Sequence, residues 1–136
     1  MEQAPQFSTP EQELAYLREQ VAQRETQLVE AGKAPGREER AGIVSEQIAL
    51  HRAAPETVLA PEYRISEATK TSEADAILTE LQLGGSEAAV KSLLQTMTEK
   101  GIKNALAVLE KLSDPHVTDD FHRYLVRYIA AGLAPT

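Results

Sequence analysis

Apolar residues recur along this chain at helical spacing. The run Ser8-Thr9-Pro10-Glu11 predicts a helix start, because a hydroxyl can accept an orphan amide proton, proline fits the first turn and an early acid suits the helix dipole. Leu14, Leu17, Val21, Leu28 and Ala31 then follow a heptad seam, with Arg24 its one charged interruption. Gly32-Lys33-Ala34-Pro35-Gly36 predicts a connector, and a second helix is expected from about Arg37 to Arg52. Ala41, Val44, Ile48 and His51 form one stripe of that helix; Ile43, Gln47 and Leu50 form the adjoining one. Two helices of similar length across so short a connector predict an antiparallel hairpin over residues 1–54.

Pro55 and Pro61 interrupt the next stretch, so residues 55–71 read as a linker and domain boundary, with at most one helical turn at Glu56 to Ala60. Beyond it, Thr71-Ser72-Glu73 predicts a capped start for Ala74, Ile77, Leu78 and Leu81, stopped by Gly84-Gly85. Ser86 caps the next helix, carried by Val90, Leu93, Leu94 and Met97 up to Gly101. Ile102, Ala105, Leu106, Leu109 and Leu112 make a third, ending before Pro115. Thr118 is expected to cap a fourth, with Phe121, Leu125, Tyr128 and Ile129 buried and Gly132 closing it. The expected fold is all-α: an N-terminal antiparallel helical hairpin plus a C-terminal four-helix bundle over residues 72–136.

Composition agrees, since 42% apolar residues with 4% aromatic describe an aliphatic core of the kind helices pack well. The absence of cysteine removes disulfides, thiolate metal sites and a cysteine nucleophile. No apolar run approaches the roughly 20 residues that span a bilayer, and the first nine residues are polar, so a cytoplasmic chain without direct membrane insertion is expected. The net charge of −7 is uneven: −3 over residues 1–54, −4 over 55–85 and zero over 86–136. No basic face is clustered as a phosphate backbone requires, and nucleic acid is not an expected partner.

Candidate chemistry gathers at His116, Asp119, Asp120 and His122, because imidazoles and carboxylates ligate divalent metals and Asp119 and His122 share a helix face. Helix capping and dipole compensation account for the same acids, so no metal or other cofactor and no catalytic residue is expected. The alternative is a small metal-dependent enzyme or metal sensor using His116, Asp119 and His122. Gly84-Gly85-Ser86 lacks the lysine-serine pair of a phosphate loop, and Glu38-Glu39 reads as a solvated face. Arg123, Tyr124 and Arg127 offer a docking surface, in competition with Asp119 and Asp120 pairing with Arg123 while the tyrosines finish the core. The hairpin seam of Leu14, Leu17, Val21 and Leu28 reads equally as self-stabilising or as an arm that binds a protein partner or another copy of the chain.

Residues 98–132, TEKGIKNALAVLEKLSDPHVTDDFHRYLVRYIAAG, resemble a helical segment in N-terminal regions of large uncharacterised bacterial proteins, some linked to conjugation-type or type IV secretion ATPases. The likeness is strongest at Glu99 to Leu106 and Asp114 to Tyr124, and weaker at Ala60-Pro61-Glu62-Tyr63-Arg64. It brings no catalytic residue, and the chain has no ATPase motif. The resemblance implies an accessory or N-terminal interaction domain whose chemistry lies in another domain or chain.

Overall fold

Most helix starts here are set by a residue that satisfies orphan backbone amides. A computed structural model describes residues 6–133. In it Thr9 caps α1 (Pro10–Glu30), accepting from the Gln12 amide at 3.1 Å. Gly36 precedes α2 (Arg37–Ala53) without a side-chain cap. Ser66 caps α3 (Glu67–Lys100), accepting from Thr69 N at 3.1 Å. After α4 (Ile102–Leu112), Asp114 caps α5 (Pro115–Ala130), accepting from Val117 N at 3.0 Å. The all-α class is as expected; among the described residues there is no strand, only the isolated bridge of Phe7 with Leu59.

Two starts differ from the pattern in the sequence. The third helix begins just after Ser66 rather than at Thr71, because Ser66, itself extended, places its hydroxyl to accept from the Thr69 amide. The last begins at Asp114-Pro115 rather than Thr118: an aspartate cap followed by proline at the first helical position is a start signal, and Thr118 instead donates its hydroxyl back to the Asp114 carbonyl at 2.7 Å. Tyr128 is 38% exposed, and Val117 takes the buried position expected of it. The buried line of α5 is therefore Val117, Phe121, Leu125 and Ile129, one residue in four.

Gly85 divides α3, with φ 77° and ψ −171° outside any helical region. Lys100 pairs with Glu73 across this break and the Ser92 hydroxyl donates to Glu80, so the arms 67–84 and 86–100 fold back antiparallel. Likewise α1 and α2 are antiparallel. Arg40 near the start of α2 grips Glu25 near the end of α1 through two hydrogen bonds of 2.8 and 2.9 Å, and His51 reaches Glu13 at the opposite ends.

The hairpin packs into the same core as the later helices. Leu17 and Val21 of α1, Val44 and Ile48 of α2, Ile77 and Leu93 of α3, Leu106 and Val108 of α4, and Phe121 and Leu125 of α5 join one core. At about 1.5–3 kcal/mol for each large apolar side chain removed from water, α1 and α2 draw their stability from the same contacts as the rest. The stretch expected as a linker is itself structured. It holds two single turns, Glu56–Val58 and Pro61–Tyr63, and buries Val58, Leu59 and Ala60. Phe7 N donates to the Val58 carbonyl and Ala60 N to the Phe7 carbonyl, each at 2.7 Å. Proline at 55 and 61 shapes these turns without freeing the chain.

Candidate functional site

One buried polar joint holds the helices at fixed positions, and its members were not predicted as site residues. The line of α1 that faces inward is Glu13, Leu17, Val21 and Glu25, spaced by four rather than along the heptad through Arg24. Glu13 is 1% exposed. Its Oε1 accepts from Ile102 N, and its Oε2 accepts from Lys103 N at 2.9 Å and from His51 Nε2 at 2.6 Å. A carboxylate from α1 thus serves as the N-terminal cap of α4, where the chain itself offers only Gly101. The α4 dipole places partial positive charge beside this acid.

Lys103 performs the opposite task. Its Nζ donates to the carbonyls of His51 (3.1 Å), Arg52 (3.1 Å) and Ala54 (2.5 Å), satisfying the end of α2. Asn104 Nδ2 does the same between Lys100 (2.8 Å) and Tyr63 (2.5 Å). Arg18 closes α5, donating through Nε to Ile129 (3.0 Å) and Nη2 to Tyr128 (2.8 Å), with its guanidinium over the Tyr128 ring. Phe7 rests edge-on against His51 and tilted against Tyr16, shielding the joint. With every one of these donors and acceptors occupied inside the fold, the joint is structural.

Burial pushes the Lys103 ammonium below its ordinary value of 10.5, outweighing the attraction of Glu56 and Glu13. Between that lowered value and 10.5 the unfolded chain binds more protons than the folded one, so this group makes stability rise with pH. Wild-type protein should therefore gain stability relative to Lys103→Met as pH climbs toward 10.5. Urea midpoints of both proteins across that window measure it; a difference that stays flat or reverses contradicts the assignment. Glu56 and Glu67 raise Lys70, chiefly through the Glu56 hydrogen bond, while Lys111 and then Lys70 hold Glu67 below the usual carboxylate range.

The residues singled out in the sequence fall in separate places. Leu17 and Val21 are 1% and 0% exposed, so the hairpin seam is core and presents neither to a partner; Leu14 and Leu28 are half-buried against it. His122 turns to α2, with Nε2 3.0 Å from Ser45 Oγ, while His116 and Asp119 face solvent. Among the described residues no group of three His, Asp or Glu side chains is gathered as a metal site requires. Arg123, Tyr124 and Arg127 do lie exposed on α5, where Arg123 approaches Asp120 at 3.9 Å.

Two grooves flank that exposed face. Between α2 and α5 lies one of about 660 Å³, with Ala41, Val126, Ala130 and Leu133 as apolar floor and Arg37, Glu38 and Arg127 on its rim. Between the second arm of α3 and α5 lies another of about 450 Å³. No helix among the described residues is long and apolar enough to cross a membrane. No family model, curated protein or solved structure matches the chain.

Proposed function

We propose that the chain is a non-catalytic helical interaction module that takes an acidic, amphipathic segment of a protein partner into the α2–α5 groove. The carrying observation is that Arg37 and Arg127, unpaired among the described residues, stand at this groove, whose floor is apolar. The third rim cation, Arg40, is committed to Glu25. In a chain with 21 acidic and 14 basic side chains, two guanidiniums without an ion-pair partner at a groove whose one acid is Glu38 favour a carboxylate-bearing partner. The resemblance of residues 98–132 to N-terminal regions of large uncharacterised bacterial proteins, some linked to conjugation-type or type IV secretion ATPases, supports the same accessory role, and α5, which carries Arg127, lies within that stretch.

An acidic helical peptide built from repeats of Glu-Leu-Glu-Ala-Leu serves as the probe. Nuclear magnetic resonance titration should move the amides of Arg37, Val126, Arg127 and Ala130, and Arg37→Glu with Arg127→Glu should weaken binding by about tenfold or more at low salt. A lysine-bearing analogue that binds equally well, or a doubly reversed variant that binds as the native chain does, overturns the reading.

A further inference from the structure

The second groove has a different character. Val90 and Leu94 of α3 and Tyr124 of α5 supply its apolar surface, and Glu87, Lys91 and Asp120 surround it. Tyr124 is 48% exposed, and Glu87 and Lys91 have no ion-pair partner among the described residues. The groove belongs to the part of the chain that carries no net charge, since the whole excess of −7 lies in residues 1–85.

We infer that a second copy of the chain docks here through a twofold interface. Such an interface must be complementary to itself, each patch meeting its own image in reverse. Glu87 and Lys91 are four residues apart, hence neighbours on one helix face, with Val90 beside them. When two such arms cross antiparallel near Val90, Glu87 of each copy faces Lys91 of the other. Val90, Leu94 and Tyr124 of both copies then close into one apolar seam. A partner of single sign meets a like charge within one turn whichever way it lies, whereas the chain's own image satisfies both signs.

Sedimentation velocity across roughly 1 μM to 1 mM protein tests this. The native chain should dimerise within that range. Glu87→Lys alone and Lys91→Glu alone should each weaken the dimer about tenfold, and the two together should restore it to within about threefold of native. Circular dichroism should show all three variants folded, because both side chains are exposed. A native chain that stays monomeric throughout, single variants that dimerise normally, or a double variant no better than the singles each overturns the proposal. None of these results bears on the α2–α5 groove.

Discussion

Glu13→Gln is expected to lower folding stability by about 3 kcal/mol and the melting temperature by about 10 °C. The substitution conserves shape and changes only what the side chain can accept. Glu13 receives three N–H donors, from Ile102, Lys103 and His51, at a position 1% exposed. A carboxamide has one acceptor oxygen and turns its NH2 group toward the remaining donors. At least one buried backbone amide is then left unpaired, at about 1–3 kcal/mol each, and the attraction between the acid and the start of α4 is lost as well. Equilibrium urea unfolding measures the change, and a loss below about 1 kcal/mol would mean that the joint contributes little.

Gly101→Ala should have an effect of similar size, about 3–5 kcal/mol, from two causes. The backbone there has φ 95° and ψ 168°, a region open in practice to glycine alone and worth about 1–3 kcal/mol of strain for any other residue. A β-carbon would also stand 2.6 Å from Glu13 Oε1, so the carboxylate would have to leave the amides it caps. The two causes separate in a double-mutant cycle. Once Glu13→Ala has removed the carboxylate, Gly101→Ala should incur only the backbone strain, and the paired loss should fall short of the sum by more than about 1 kcal/mol. Strict additivity in urea unfolding would place the glycine's importance in its backbone alone.

Those two residues also mark where reading the sequence stops. The helices were legible because their signals are local: Thr9-Pro10, Gly32, Gly85 and Gly101 act on the turns that contain them, and Leu93, Met97, Phe121 and Leu125 repeat at the helical period. Glu13 gives no local sign of its role, because an acid in the first turn of a helix is ordinarily explained by the dipole of that same helix. Its role depends on Ile102 and Lys103, roughly ninety positions away. A trace of it was nonetheless present. The helix beginning at Ile102 has no Ser, Thr, Asp or Asn before it, and Glu13 continues the four-residue line of Leu17 and Val21 inward.

Of the α2–α5 groove, Arg127 was legible as an exposed position, since its place follows from the period of α5. Arg37 could not be joined to it, because only tertiary packing sets the start of α2 beside the end of α5. That α1 and α2 share one core with α3, α4 and α5 was equally hidden, since it too is set by tertiary packing. Two prolines over residues 55–71 resemble a tether, yet the segment is held by Phe7 on one side and by Asn104, which donates to the Tyr63 carbonyl, on the other.

With the Glu13 joint tying α1, α2 and α4 together and one core shared by every helix, all five helices should form one cooperative unit. Native-state hydrogen exchange tests it most directly. The amides of Ile102 and Lys103 should exchange only through global unfolding, with the same free energy and denaturant dependence as Val21, Val44 and Leu125. If Val21 and Val44 exchange through a separate, lower-energy opening while Leu125 stays protected, the hairpin is an independent unit and the account is contradicted.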